Sequence, residues 1–104
     1  MSLDITSQIV KNPASTFYAR VSGTSMIDDG IGDGDILVVD KSVTPYNGCI
    51  AICFVDGEFT LKHVEIHPDH IMLVPANRSF KPIKVTQDNE FVIWGVVRYV
   101  IKKV

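Results

Sequence analysis

The sequence predicts an all-β or nearly all-β domain, mainly β with at most one or two short helical turns. Three observations carry that expectation. Short runs of β-branched and aromatic residues recur from Phe17 onward, each run is bounded by Gly, Pro, Asn or Asp, and only residues 25–29 have the look of a helix. The elements follow in order. Residues 1–16, MSLDITSQIVKNPAST, are polar without a sustained period and read as a flexible N-terminal arm, leaving 17–104 as the folded domain. FYARV at 17–21 holds β-formers and leads into Ser22-Gly23, and ILVV at 36–39 follows the turn-rich DDGIGDGD. CIAICFV at 49–55 is apolar at every position, as expected of a strand covered on both faces. Asp56-Gly57 then separates it from EFTLKHVEI at 58–66, a strong hairpin signal. HIMLV at 70–74 lies between Pro68 and Pro75, NRSFKP at 77–82 reads as a loop, and FVIWGVVRYVIKKV at 91–104 reads as one long strand or two joined at Gly95.

Composition narrows the function classes. A chain of 104 residues, 46% apolar and 21% charged, fits one globular domain with one core. A net charge of −2 and a pI near 5.8 argue against general nucleic-acid binding, which needs a basic surface. The charge is uneven. Asp28, Asp29, Asp33, Asp35 and Asp40 crowd one stretch, and Arg98, Lys102 and Lys103 lie at the other end of the sequence. Solvated faces are the first reading of such runs, and a contact patch for a partner is the second. No apolar run approaches the roughly 20 residues of a membrane-spanning helix, and no signal-peptide order is visible, so a cytoplasmic protein is expected. Cys49 and Cys53 stand four apart on a presumed strand, about 13 Å from each other, too far for a disulfide. They read as buried free thiols, since nothing nearby offers the positive, exposed setting of a catalytic cysteine.

Two places can carry chemistry. The first is Ser22-Gly23-Thr24-Ser25-Met26, where a strand end turns into a short helical turn. A serine there presents its hydroxyl to a cleft, free N–H groups at the start of the turn can stabilise an oxyanion, and Gly23 lets the backbone bend. The second is Lys62, which alternation puts on one face of its strand with Thr60, Val64 and Ile66, opposite Phe59 and Leu61. The plain reading is an edge lysine whose stem covers apolar surface. The functional one is a desolvated amine whose lowered pKa lets it act as a base, replacing the more usual histidine beside a nucleophilic serine. His63 points away from Lys62 and has no obvious carboxylate to orient it. His63, His67 and His70 lack a completing metal ligand at a familiar spacing, so no metal or cofactor is expected.

Taken together, these segments resemble the LexA/UmuD family of self-cleaving serine–lysine peptidases. VSGTSMIDDGIGDGDILVVD resembles the family's nucleophile segment, VDGEFTLKHVEI the segment bearing its lysine, and PANRSFKPI and FVIWGVVRYVIK also look like their counterparts. The similarity covers nearly all of 17–104 and is greatest on the UmuD side of the family, in its processed form. The resemblance implies a fold of small, strongly bent β-sheets, a homodimer, Ser25 as nucleophile, Lys62 as its base, and the N–H groups of Ser25 and Met26 as the oxyanion site. It further implies self-cleavage promoted by a RecA filament on single-stranded DNA, and a finished role beside a UmuC-like subunit of an error-prone DNA polymerase. Family precursors cleave a small-residue–Gly bond upstream of the serine. Before Ser25 the one glycine is Gly23, inside the motif, so a processed or truncated form is expected. The dimer seam is expected along 91–104, an apolar strand that would otherwise leave an open edge. The rivals are the C-terminal half of a LexA-like or phage-type repressor, a signal-peptidase-like enzyme, which a missing membrane anchor disfavours, and a binding module with a vestigial catalytic pair.

Overall fold

The computed structural model describes residues 4–104, with seven strands and three short helical turns. The strands are β1 (Thr16–Arg20), β2 (Ile36–Asp40), β3 (Ile50–Val55), β4 (Glu58–Ile66), β5 (Ile71–Val74), β6 (Ile83–Val85) and β7 (Phe91–Ile101). They form one antiparallel sheet in the order β1-β2-β7-β3-β4-β5-β6. The mainly β expectation is met. The small bent sheets are two regions of one ladder, joined along β7, which pairs with β2 through Val96–Ile101 and with β3 through Phe91–Val96.

The strands form where β-branched and aromatic residues alternate between two covered surfaces. Within β3, Ala51 and Cys53 enter one buried cluster with Cys49, Val64, Leu73, Val85 and Val96. Ile50 and Ile52 pack instead against a second cluster of Met26, Ile31, Leu37 and Val39. That division explains why this strand is apolar throughout. The Asp56-Gly57 hairpin forms as expected, with both residues at positive φ and Val55 opposite Glu58. Cys49 and Cys53 are buried and free, and burial pushes the Cys53 thiol up to about 12.

The pairing adds detail that the sequence reading left open. β7 lies between β2 and β3, but each half is paired on one side: Phe91–Gly95 with β3 alone and Val97–Ile101 with β2 alone, so the edge expected along 91–104 persists in part. Of the two readings of this segment the single long strand holds, with Trp94 and Arg98 bulged out where the pairing shifts from Ile52–Gly95 to Cys53–Ile93 and from Val38–Tyr99 to Val39–Val97. Residues 83–85 form a three-residue edge strand, too short to leave a periodic signal. In the N-terminal arm, α1 (Ile5–Ile9) buries no residue, while Asn12 and Ser15 hydrogen-bond the Asp40 carboxylate at 3.0 and 2.7 Å.

Two members of the acidic stretch depart from the solvated face that Asp28, Asp29 and Asp33, all exposed, still present. Asp40 is 4% exposed and accepts further bonds from the Ser42 N–H and hydroxyl. Those partners, the Asn12 amide first, hold its carboxyl well below the usual range. Asp35 is 8% exposed and pairs with Lys102, which also donates to the Gly30 carbonyl. Lys102 and the Gly32 N–H lower the Asp35 pKa against the opposing effect of burial.

Candidate active site

The nucleophile segment follows β1. Gly23 sits at φ +96°, and its N–H donates to Asp33 Oδ1 at 2.8 Å, so the chain reverses sharply just before Ser25. A 3₁₀ turn, Ile27–Asp29, then begins beyond Met26, whose side chain is buried in the second cluster and anchors the turn. Two backbone bonds tie the turn to the segment after β5: Ala76 N–H to the Ser25 carbonyl and Asp28 N–H to the Ala76 carbonyl, each 2.8 Å. Asn77 Nδ2 donates to the Thr24 carbonyl at 2.9 Å. Among the described residues, nothing accepts a hydrogen bond from the Ser25 or Met26 N–H, leaving both available to an incoming oxyanion.

Lys62 arrives from the middle of β4. It is 7% exposed, opposite Ala51 across the β3–β4 ladder. Its Nζ lies 3.0 Å from Ser25 Oγ and 2.6 Å from Thr60 Oγ1. Burial lowers the Lys62 pKa below its ordinary 10.5, with a smaller opposing effect of Cys53. The structure thus brings the two sequence-predicted residues into direct contact across 37 positions. They line a cleft of about 610 Å³ with Gly23, Thr24, Phe59 and Leu61. A partly desolvated amine beside a half-buried hydroxyl, with two free N–H groups at the same turn, is the equipment for acyl transfer by a serine nucleophile.

Three supporting residues carry no local signal of their role. Thr60 shares the lysine's face and was legible as a neighbour, but its bond to the amine was not. Asn77 and Asp33 hold the turn from distant loops, which no local pattern signals. The reading of His63 as lacking a carboxylate is corrected, because its Nε2 pairs with Asp29 of the 3₁₀ turn. His67 and His70 stack on each other with ring centroids 4.5 Å apart and hydrogen-bond Glu65 and Asp69 respectively, away from the cleft.

The Peptidase S24-like family model matches residues 1–98. The chain belongs to the Peptidase S24-like family. Among curated relatives it is 42% identical to Protein MucA of Salmonella typhimurium over 98 residues, 93% of this chain and 66% of MucA. It is 39% identical to Protein SamA of Salmonella typhimurium (strain LT2) over 101 residues, 97% of this chain and 69% of SamA. It is also 40% identical to the LexA repressor of Stenotrophomonas maltophilia over 85 residues, covering 82% of this chain and 40% of that repressor. The S24-like chain therefore spans just under two thirds of the length of MucA. These similarities agree with the LexA/UmuD resemblance of the nucleophile and lysine segments.

Proposed function

We propose that this S24-like chain is a UmuD-like SOS-response protein whose Ser25–Lys62 dyad cleaves a peptide bond in a segment of its own kind. The observation that supports this reading is the 3.0 Å contact between Lys62 Nζ and Ser25 Oγ at the end of a cleft. With the amine neutral, Thr60 Oγ1 accepts one Nζ–H and the Nζ lone pair takes the Ser25 proton. Ser25 Oγ then forms a bond to the peptide carbonyl carbon, and the developing oxyanion meets the Ser25 and Met26 N–H groups. Collapse breaks the C–N bond, and the Lys62 ammonium passes its proton to the leaving amine. Water, deprotonated by Lys62, then hydrolyses the acyl-serine.

The proposal extends to a cytoplasmic homodimer, self-cleavage promoted by a RecA filament on single-stranded DNA, and an accessory role beside a UmuC-like polymerase subunit. The similarity to MucA and SamA along nearly the whole chain supports this over a repressor half, since the LexA match covers less of both partners. The test is cleavage in trans of a related UmuD precursor whose own serine is alanine, from pH 7 to 10.5. The expected result is cleavage that rises with pH as Lys62 loses its proton and is absent in Ser25→Ala and Lys62→Ala. Folded protein that leaves the substrate intact at every pH would point to a non-catalytic polymerase-binding module.

A further inference from the structure

His63 and Asp29 form a bridge between the two halves of the site. His63 follows Lys62 on β4, and Asp29 is the fourth residue after Ser25, in the turn whose start offers the free N–H groups. Asp29 N–H also donates to the Met26 carbonyl at 3.1 Å, which fixes Asp29 within the 3₁₀ turn. His63 Nε2 meets the Asp29 carboxylate, and His63 Nδ1 lies 3.0 Å from the Gly48 carbonyl. Both ring nitrogens therefore face acceptors. A neutral imidazole has one N–H and satisfies one of them; the imidazolium satisfies both. The groups around the ring are Asp29 from the 3₁₀ turn and Gly48 from the loop before β3, and the cross-strand neighbours Ile50 and Val74 are apolar. Lys62 projects from the other face of the strand.

We infer that the Asp29–His63 pair is a positioning clamp, which holds the Ser25 turn against the Lys62 strand and is tightest while His63 carries its proton. This rests on the dyad reading above, and it adds two residues that touch neither the substrate nor the reacting atoms. Burial would pull the His63 pKa down, but the Gly48 carbonyl and the Asp29 carboxylate outweigh it and raise the pKa above the ordinary 6.5. A raised histidine pKa means that the clamp is complete below the ordinary value and is lost as pH rises through the folded-state value. The clamp thus weakens in the direction in which the lysine becomes a better base.

The test compares His63→Gln, Asp29→Asn, their double variant and His63→Arg, whose permanent charge and two donors can serve both acceptors. Trans-cleavage kinetics from pH 6 to 9 are followed alongside amide hydrogen exchange at Ile27, Asp29 and Gly30. Either single variant is expected to lose about tenfold in kcat at pH 6 with KM little changed, as for a small misplacement of reacting groups. The double variant should be no slower than either single one. The deficit should shrink as pH rises above the His63 pKa, His63→Arg should keep the parental rate at pH 6 and exceed it above that pKa, and exchange in the turn at pH 6 should quicken in the Gln and Asn variants alone. Unchanged exchange, a deficit constant with pH, or a loss confined to KM would each overturn the clamp. A parent that fails to cleave would count against the dyad, with the exchange rates still deciding whether the clamp holds the turn.

Discussion

Lys62 is the residue at which stability and chemistry pull in opposite directions. Nearly complete burial disfavours its ammonium, and its two close neighbours, Ser25 and Thr60, are neutral hydroxyls. Because the folded-state pKa lies below 10.5, the unfolded chain binds a proton that the native state holds more weakly. Stability should therefore rise as pH passes upward through the folded value. Lys62→Met keeps the length of the stem without the charge. It is expected to stabilise the protein at pH 7 by about 0.5–2 kcal/mol, the range usual for relieving a functional position, while abolishing cleavage. Thermal melts from pH 7 to 10 check this; the gap should narrow as pH rises, and a Met variant less stable than the parent at pH 7 would refute the strain. Ser25 and Lys62 were both legible in the sequence because each sits in a motif of its own and the two motifs agree with one family. Asp29 and His63 were not, since their meeting depends on how a loop and a strand far apart in sequence come together. Within the acidic run Asp35 and Asp40 misled for a similar reason: they are internal staples whose partners, Lys102 and Asn12, lie 67 and 28 positions away.

At the scale of the element, β7 shows what local patterns reveal and what they miss. Its β-branched content announced a strand, and Gly95 announced an irregularity, but neither announced that Trp94 would bulge beside it. The bulge turns Trp94 toward Phe17 and Phe59, which meet it edge-on at 5.5 and 5.3 Å, and Lys41 lies 4.4 Å above its ring. Gly95 is required because a Cβ there would come within 2.5 Å of Val39 Cγ1 and 3.4 Å of Phe17 Cε1. Gly95→Ala is therefore expected to cost about 1–3 kcal/mol through overpacking. For a domain of this size that is a fall in Tm of roughly 5–15 °C. Urea unfolding would register the same loss as a lower midpoint at unchanged slope, and a neutral substitution would show that Val39 moves aside without penalty. β6 went unread because three residues, Ile83–Val85, are too few to show alternation.

At the scale of the whole molecule, β7 offers the proposed homodimer a half-open side, because Val97–Ile101 pairs with β2 alone. Sedimentation equilibrium at micromolar concentration is expected to give twice the mass of the 104-residue chain, 11.5 kDa; a monomer would remove the dimer from the proposal. The mainly β class was legible in the punctuation of the chain, whereas the strand order was not, since pairing between distant strands leaves no local trace. That order has a consequence for when the site exists. Ser25 belongs to the β1–β2 side of the ladder and Lys62 to the β3–β4 side, and in the ladder those sides are joined through β7. β7 follows every other strand in chain order, so on a ribosome both hairpins emerge before the strand that unites them. The ladder thus unites the two sides only when β7 joins it, whereas the bonds of the Ser25 turn to Ala76 and Asn77 and the Asp29–His63 pair use no residue of β7.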